Sequence, residues 1–566
     1  MTAFTIAFRS GTTGGSAGIT ESDADTATNW SGGAFNDDSE VQGIACYGEK
    51  ISNATNVFSY AGTSRDFIGG ANDGDHIYTW MNCLTPSLDT IANGGIRIRI
   101  GDSATSYREF YVGGDGSLSD DPYTGGWKCF LVDPTIAADS SRIFDTGTPD
   151  MNICDTFGGV IKTVAMVSGQ FDNGLIDAIR IGSGLRVIAG TTPDPAAAFA
   201  DFILEDEGTK NNKYGVCRNV GGVNLFQGKL FFGDGTTTTV FTDTDAVCVW
   251  ENANVATDFY ELYINTDATV TFGAISAGVT SGGCFFDSED TGTAFSITVV
   301  EGGTVEASLN AYASTFNEFR VASFNPSTTL QDCTFSNGGQ ITLNGATMGG
   351  CSILSSTVGA DTGALLLDSQ SEFGGGAPVV TDTFFGNNAA NANSGAIEIS
   401  ATGAYTFTNL TFSGNSHDVI NSSGGLVTIT VSGGDIPTVR NLTTSSTTVI
   451  NSKLLTVTNI EADTELRIYT YVDLGSPLSY TELVGAENIS GSPESSTFAT
   501  VTFNSGTQKY EATYNYDASG GDLAVVVVAH NVNFEFFRIT ETLSSTENTT
   551  ISLFQLEDRQ YDAGSI

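Results

Sequence analysis

The stretch that decides the fold is TFFGN at Thr383–Asn387, which returns as TFSGN at Thr411–Asn415. A weaker copy, TFSN, stands upstream at Thr334–Asn337. The motif carries no charge and no evident catalytic chemistry. A repeat of this kind indicates an architectural role, in which successive structural units need the same residue types at the same place.

The spacing of the copies indicates a solenoid. From Phe384 to Phe412 the step is 28 residues, and from Phe335 to Phe384 it is 49, about two coils of roughly 24 or 25 residues. Periods of that size are typical of chains in which each repeat forms one coil that stacks on the next. We therefore predict that Phe fills the interior at the same height in successive coils, Gly takes a sharp corner, and Asn stacks on Asn.

Short apolar runs separated by Gly, Asn, Ser and Thr continue this pattern through the centre of the chain, for example at Val223–Phe226, Ala396–Ile399 and Leu426–Val431. The pattern resembles the pectate-lyase-like right-handed β-helix. The resemblance implies a shape and not an activity, because that fold serves lyases, hydrolases, spikes and autotransported surface proteins. We expect this parallel β-helix to occupy residues 206–460.

The composition favours strands throughout. Hydrophobic residues make up 40% of the 566 residues and charged residues only 15%, so polarity comes largely from Gly, Ser, Thr and Asn. The 65 acidic and 22 basic residues give a formal net charge of −43, which opposes binding to nucleic acid and to anionic membranes. The most apolar run, Leu523–Ala529, has the length of a strand, so membrane insertion is not expected.

The N-terminal region, 1–205, alternates short β-type runs with turns. Gly95–Gly101 alternates with strict period two, with Ile on one face and Arg on the other. This pattern predicts an antiparallel strand whose arginine face is exposed. The alternative is that the arginines bind an acidic ligand. The region resembles the lectin-like jelly-roll modules of tailed-phage virion proteins, on the motifs Trp30–Gly33, Gln42–Gly43, Ile77–Trp80, Gly94–Gly101, Tyr111–Gly114 and Gly125–Trp127.

One helix is predicted near the end of this region. Asp194 is placed as its N-cap, Pro195 as its first residue, and Ala196–Phe202 as its body. The polar stretch Glu205–Gly208 then marks the boundary with the solenoid.

The C-terminal region, 461–566, predicts a small β-sandwich from strand-like runs at Thr464–Val472, Thr497–Phe503, Tyr510–Tyr516, Leu523–His530 and Asn533–Ile539. The closing stretch Leu553–Tyr561 looks similar to the end of small β-domains in tailed-phage fibre and appendage proteins. This resemblance agrees with the one at the N-terminus.

The nine cysteines are scattered, without a Cys-x-x-Cys pair, and several lie in apolar runs. We predict free, buried thiols, which suits synthesis in a reducing cytosol. The N-terminus Met1–Ile6 lacks the basic start and apolar stretch of a signal peptide, so the usual secretion route is not expected. The nine are Cys46, Cys83, Cys129, Cys154, Cys217, Cys248, Cys284, Cys333 and Cys351.

Residues suited to chemistry are sparse. His76, His417 and His530 are isolated in sequence, and no phosphate or dinucleotide loop occurs, so we nominate no catalytic residue and expect no cofactor. Two acidic turns, Asn72–Asp75 and Asp115–Asp121, could hold Ca²⁺, but neither is a complete EF-hand loop. Solvated turns are the ordinary interpretation, and metal binding stays open.

An enzymatic alternative rests on carboxylates in the solenoid. A β-helix could place Asp361, Asp368, Asp382 and Glu398 along one groove, where two of them would cleave a polysaccharide as acid and base or nucleophile. A lyase is weaker, because Val321–Val439 contains no Lys or Arg to neutralise a uronate.

Together these features predict an all-β chain: an N-terminal jelly-roll sandwich, a central right-handed parallel β-helix and a small C-terminal β-sandwich. We expect a structural virion protein of a tailed phage, an elongated fibre, spike or appendage on the virion surface, assembled in the host cytoplasm. Its expected partners are itself, as a homotrimer that covers exposed edges, other virion proteins and host cell-surface glycan. The alternatives are a tailspike-like polysaccharide depolymerase and a bacterial surface adhesin.

Overall fold

The computed structural model is all-β, as the composition predicts: every regular element among the described residues is a strand. The predicted helix at Ala196–Phe202 and the boundary at Glu205–Gly208 lie outside the described residues. The structure describes residues 4–36, 46–51, 55–84, 91–113, 127–139, 142–163, 172–189, 217–251, 260–289, 294–302, 305–368, 380–472, 479–490, 496–518 and 520–557.

Two compact units divide the chain. Unit 1 comprises Met1–Leu367, Phe385–Ile397 and Gly414–Ser416, and unit 2 comprises Asp368–Phe384, Glu398–Ser413 and His417–Ile566. Each is described separately below.

The N-terminal part of unit 1 is built from fifteen described strands. They are β1 (Phe4–Ser10), β2 (Ser16–Ala17), β3 (Ile19–Ser22), β4 (Trp30–Ser31), β5 (Ala34–Asn36), β6 (Cys46–Ile51), β7 (Thr55–Arg65), β8 (His76–Leu84), β9 (Ile91–Ser103), β10 (Ser106–Gly113), β11 (Lys128–Val132), β12 (Ile143–Thr146), β13 (Cys154–Thr163), β14 (Asp172–Gly182) and β15 (Gly184–Ala189).

Most of these strands form two antiparallel sheets that share one core. One sheet has the order β12-β10-β9-β13-β7-β4, and the other β11-β8-β14-β6-β5, with β3 also paired to β14. Ile98 and Phe157 from the first sheet and Met81 and Ile179 from the second lie in the same buried cluster. A two-sheet sandwich is therefore present in the described residues of the N-terminal region, while its likeness to a jelly roll stays a prediction.

Strand β9 shows the alternation that its sequence predicts. Ile96, Ile98 and Ile100 are buried in the sandwich core. Arg97 and Arg99 point the other way, and both bind the Glu109 carboxylate, at 2.8 and 2.5 Å. The arginine face thus binds an acidic side chain of the protein itself.

The central region continues with short strands. They are β16 (Cys217–Val220), β17 (Val223–Phe226), β18 (Lys229–Phe232), β19 (Thr239–Asp243), β20 (Val247–Trp250), β21 (Glu261–Ile264), β22 (Ala268–Phe272), β23 (Ala274–Ser276), β24 (Val279–Ser281), β25 (Phe285–Ser288), β26 (Phe295–Val299), β27 (Ser308–Tyr312), β28 (Thr315–Asn317), β29 (Phe319–Ser323), β30 (Thr329–Gln331), β31 (Thr334–Ser336), β32 (Gln340–Thr342), β33 (Thr347–Gly349), β34 (Ser352–Leu354), β35 (Gly363–Leu367), β36 (Val380–Thr381), β37 (Phe384–Gly386), β38 (Gly395–Ile399), β39 (Gly403–Ser413), β40 (Val419–Asn421), β41 (Leu426–Gly434) and β42 (Val439–Asn441).

In unit 1 these strands stack in three parallel ladders, consistent with the predicted β-helix. One ladder runs β15-β18-β21-β26-β29-β32-β35, a second β17-β20-β25-β28-β31-β34, and a third β19-β22-β27-β30-β33. Strand β15 also pairs with β1 in the antiparallel sense. The chain visits the three ladders in turn, so each set of three strands is one coil.

The interior of the coils holds a column of aromatic rings. The ring centroids of Phe286 and Phe316 are 5.4 Å apart with planes at 6°, and those of Phe316 and Phe335 are 5.1 Å apart at 15°. All three side chains are buried. The prediction that the Phe of the motif fills the interior is confirmed at Phe335.

The coils are unequal in length. Phe316 lies opposite Phe335, and Phe335 opposite Ile353, so these coils are shorter than the spacing of the motif predicts. On another ladder Leu262 lies opposite Ile297, which makes that coil much longer than the predicted one. The predicted coil of about 24 or 25 residues therefore does not describe these coils, because strands keep their register while the loops between them vary in length.

The two strong copies of the motif align one residue away from the predicted register. Thr381 lies opposite Thr408, a step that is one residue shorter than the step from Phe384 to Phe412. Asn388 donates to Asn415 at 3.1 Å, so the stacked asparagines are these two and not Asn387 and Asn415. Because side chains alternate along a strand, a slip of one residue exchanges the inner and outer faces.

This slip moves the predicted interior phenylalanine. Phe385 is buried, whereas Phe384 is 37% exposed and Phe412 is half-buried. The left-handed corner also shifts, because Asn387 has φ 55° and Gly414, rather than Asn415, is its left-handed counterpart with φ 70°. The predicted corner is thus confirmed at Gly414, but Gly386 lies buried within β37.

The C-terminal part of unit 2 is a small sandwich, as predicted. Its strands are β43 (Ser446–Ile460), β44 (Glu465–Val472), β45 (Ser479–Ala486), β46 (Thr500–Asn504), β47 (Lys509–Asp517), β48 (Leu523–His530), β49 (Phe537–Leu543) and β50 (Thr549–Ser552). The antiparallel sheet β45-β44-β48-β49 shares a buried core with strands β43, β47 and β50.

Strand β43 belongs to two structures at once. Its first half, Ser446–Ser452, pairs in parallel with β41, and its second half pairs with β47 and β50. The predicted boundary at residue 460 therefore falls at the end of a continuous strand within unit 2.

The register can be tested at Phe385. We expect Phe385→Ala to lower the free energy of unfolding by about 3–5 kcal/mol, because it removes a fully buried ring and leaves a cavity. The matched control Phe384→Ala should cost less than about 1 kcal/mol, since that side chain is partly exposed. Guanidinium denaturation followed by circular dichroism measures both, and equal losses would contradict this register.

Candidate functional site

The four carboxylates of the enzymatic alternative have different settings. Glu398, on β38, accepts a hydrogen bond from Ser422 Oγ at 2.8 Å. Asp382, at a left-handed corner, accepts one from Asn409 Nδ2 at 2.9 Å. Both contacts join residues far apart in sequence, and neither is a carboxylate pair of the kind that glycoside hydrolysis uses.

The other two carboxylates lie at the ends of strand β35. Asp361 precedes the strand at a left-handed position, φ 64°, and its N–H donates to the Asn393 carbonyl at 3.0 Å. Asp368 follows the last residue of the strand, Leu367, and is exposed. Both residues therefore lie outside the strand, Asp361 in a turn before it and Asp368 directly after it.

The acidic turn Asn72–Asp75 is tied to the end of strand β1. The Asp75 carboxylate accepts hydrogen bonds from Ser10 Oγ at 2.5 Å, Gly11 N at 2.7 Å and Asn72 Nδ2 at 2.9 Å. Burial raises the pKa of Asp75, which these hydrogen bonds oppose. Its oxygens therefore fasten the end of β1, which gives the turn a structural role.

Metal binding is otherwise without a candidate in the part of the chain that the structure describes. No group of three or more His, Cys, Asp or Glu side chains there is arranged to hold an ion. The second predicted turn, Asp115–Asp121, lies outside the described residues.

The histidines are dispersed. His76 is buried, with Nε2 3.6 Å from Asp133 Oδ2. Burial lowers its pKa to about 4, Asp133 opposes that shift, and Lys229 reinforces it. His417 is half-buried in unit 2, and His530 is exposed beside the Phe536 ring. The three do not share a site.

The buried cysteines confirm the prediction for the thiols that the structure describes. Cys333 and Cys351 each donate to the carbonyl two residues earlier, at 3.5 and 3.4 Å, as Ser314 does at 3.1 Å in the preceding coil. Burial raises the pKa of Cys154 and of Cys284 to about 12. These thiols act as small corner or core residues and not as nucleophiles.

An acidic cleft of about 470 Å³ lies beside β3 and is lined by residues from Thr20 to Asn29, and two arginines contact its carboxylates. Arg65 binds Glu21 at 2.6 Å, and the fully buried Arg180 lies 3.8 Å from Asp23 and donates to Thr20 Oγ1 at 3.0 Å. The carboxylates of Glu21 and Asp23 thus have arginine partners within unit 1, which gives these two acidic residues a structural role.

An aromatic groove on the C-terminal sandwich is the best candidate for binding. Its lining consists of Tyr469, Tyr480, Val526, Val528 and Arg538, and its volume is about 270 Å³. We call it the tyrosine groove. It lies on the sheet β45-β44-β48-β49, on the face directed away from the shared core.

Strand pairing brings these side chains together. Tyr469 lies opposite Val526, and Val528 lies opposite Arg538, so residues of three adjacent strands share one face. Tyr480 comes from the edge strand β45, and its hydroxyl accepts a hydrogen bond from Arg538 Nη2 at 3.2 Å. The bridge joins the two edge strands of the sheet.

The charges around the groove nearly cancel. Arg467, opposite Val528, binds Glu465 and Glu482, each at 2.7 Å, and lies 3.9 Å from Glu487. The hydrogen bonds that Arg467 donates to Glu465 and Glu482 raise its pKa further above the usual value. The groove therefore has an apolar floor, a single guanidinium at its rim, and an adjacent cluster that is slightly negative.

Sequence reasoning missed this groove, although a signal was present. In Leu523–His530 the residues Val525 and Val527 face the core, yet Val526 and Val528 between them are also apolar. A strand of an open sandwich normally alternates apolar and polar residues. Apolar residues on both faces indicate that the outer face is also shielded from water, and Val526 is indeed buried there.

No protein-family model matches the chain, and no curated protein matches it. Among the described residues no helix is long and apolar enough to cross a membrane. The class that the fold defines is therefore that of all-β proteins with large parallel sheets, and the function must be argued from the site.

His76 gives a testable pH dependence. Its folded-state pKa lies below the unfolded value of 6.5, so unfolding takes up a proton between about pH 6.5 and pH 4. The contribution to stability is complete above pH 6.5 and is lost as the pH falls through 4. A pKa difference of this size corresponds to about 3 kcal/mol.

The measurement is the free energy of unfolding at several pH values between 7.5 and 4, for wild type, His76→Gln and His417→Gln. We expect the fall in acid to be shallower in His76→Gln than in wild type. His417→Gln is the matched control and should follow wild type. Parallel curves for all three proteins would disprove the assignment to His76.

Proposed function

We propose that the chain is a structural protein of a tailed-phage virion, a component of a fibre, spike or head or tail appendage that takes part in attachment to the host surface. Its partners would be further copies of itself in a homotrimer, other virion proteins, and glycan on the host cell. Its place would be the virion surface after assembly in the host cytoplasm, where buried thiols stay reduced.

The observation that carries this proposal is strand β43. It runs from the parallel ladder with β41 straight into the C-terminal sandwich, where it pairs with β47 and β50. The sandwich is thus held on the last coils by backbone hydrogen bonds and not by a flexible linker. A domain that must keep its orientation on a particle while it binds a surface needs a rigid connection of this kind.

Two further observations support the proposal. The sequence resemblances at both ends of the chain point to tailed-phage virion proteins. In addition, Asp382 and Glu398, which the enzymatic alternative would need, take part in hydrogen bonds with Asn409 and Ser422. Those contacts fasten successive coils and favour a scaffold.

The native mass tests the trimer. One chain has a mass of 59.1 kDa, so we expect light scattering of the purified full-length protein to give about 177 kDa. A clean monomer would contradict the trimeric appendage. Dilution over a hundredfold concentration range, with an unchanged mass, is the control against weak self-association.

Location tests the wider proposal. Antibodies raised against the purified chain should label intact particles of the phage that encodes it, when these are viewed by electron microscopy. Labelling of lysates but not of purified particles would contradict a virion role.

A further inference from the structure

We propose that the tyrosine groove binds one neutral pyranose ring of a glycan. As an assignment of the host-surface ligand this rests on the proposed attachment function. The binding itself is argued from the groove.

The size of the groove fits a single sugar ring. Its volume of about 270 Å³ is below the range of about 300–1,000 Å³ that encloses a drug-sized ligand. Five residues line the groove, whereas a folded partner that binds stably contacts about 20–30 residues on each side. A terminal residue of a surface polysaccharide is an occupant of suitable dimensions.

The walls fit the apolar face of such a ring. Val526 and Val528 form the floor, Tyr469 is half-buried, and Tyr480 is 43% exposed. A pyranose presents a patch of C–H bonds on its face, which can lie on an aromatic ring or on aliphatic side chains. Tyrosines supply that contact at low cost in side-chain entropy, because they have only two rotatable torsions.

The rim fits the hydroxyl groups of the ring. Arg538 and the Tyr480 hydroxyl are joined by an exposed hydrogen bond of 3.2 Å. A guanidinium has five donors and a tyrosine hydroxyl both donates and accepts. Sugar hydroxyls also donate and accept, so they can join this pair while the ring covers the apolar floor.

The charges select a neutral sugar. Arg467, beside Val528, is surrounded by the carboxylates of Glu465, Glu482 and Glu487. Among the residues that line the groove, Arg538 is the single positively charged one. With those carboxylates adjacent and a chain charge of −43, an anionic sugar would be repelled.

The test is isothermal titration of the full-length protein. The probes are neutral trisaccharides of glucose, galactose, mannose, rhamnose and N-acetylglucosamine, with trigalacturonate as the acidic comparison. We expect at least one neutral probe to bind and trigalacturonate to bind more weakly than that probe.

The variants locate binding in the groove. Tyr480→Ala should weaken binding of the probe about fivefold, since an aromatic contact of this kind is worth about 1 kcal/mol. Tyr480→Phe keeps the ring and should lose less than Tyr480→Ala. Phe503→Ala, which removes an exposed aromatic side chain from β46 on the other sheet, is the matched control and should bind as wild type does.

Several results would overturn the inference: no neutral probe binds, trigalacturonate binds more tightly, or Tyr480→Ala and wild type bind alike. Circular dichroism and the native mass check that each variant folds, and Tyr480→Phe keeps the test valid if Tyr480→Ala does not. Particle labelling is a separate readout. If particles are labelled but no probe binds in the groove, this inference alone is rejected. If particles are not labelled but a probe binds, the attachment role is rejected and sugar binding by the groove is retained.

Discussion

The fold depends on a geometric constraint at the corners of each coil. A parallel ladder forms only if each coil brings the chain back beside its previous strand, displaced by one strand spacing of about 4.8 Å. Each corner must therefore bend sharply while its backbone N–H stays hydrogen-bonded. The corners after β30 and β31 do this with left-handed residues, Asp332 (φ 55°) and Asn337 (φ 51°). Their N–H groups donate to the carbonyls of Gly349 and Leu354 in the next coil.

The constraint has an energetic consequence. A left-handed backbone costs a non-glycine residue roughly 1 kcal/mol or more. In this chain the cost recurs in successive coils. At corners such as Asp332, Asn337 and Ser355 it is offset by the hydrogen bond that the corner N–H donates to the following coil. Asn, Asp and Gly, which tolerate this conformation best, therefore recur at corners. That preference accounts for one residue in each copy of the motif, namely Asn337, Asn387 and Gly414.

Fixed corners also explain the interior. Once the register between coils is set, inward residues fall into columns, and Phe286, Phe316 and Phe335 stack. Ser314, Cys333 and Cys351 occupy a second column, where each side chain satisfies a carbonyl two residues back. Loops between ladders change length without disturbing these columns, which is why short and long coils stack in the same ladders.

The sequence was informative where one pattern dominated. The Ile and Arg alternation of β9 predicted its two faces, and the strand-like runs after residue 460 predicted a sandwich. The motif failed at finer scale because TFFGN contains two adjacent phenylalanines, and only the ladder pairing decides that Phe385 and not Phe384 turns inward. A composition or a spacing cannot resolve a one-residue slip.

The tyrosine groove could not be predicted for a related reason. Its residues are spread from Tyr469 to Arg538 and meet only through the strand order β45-β44-β48-β49. Local sequence showed one part of it, the valines that face outward on β48. Val526 is buried and Val528 half-buried on that face, beneath the tyrosines that line the groove. Because β43 fixes this sandwich on the preceding parallel coils, the same backbone pairing that builds the scaffold also fixes the direction in which the groove is presented.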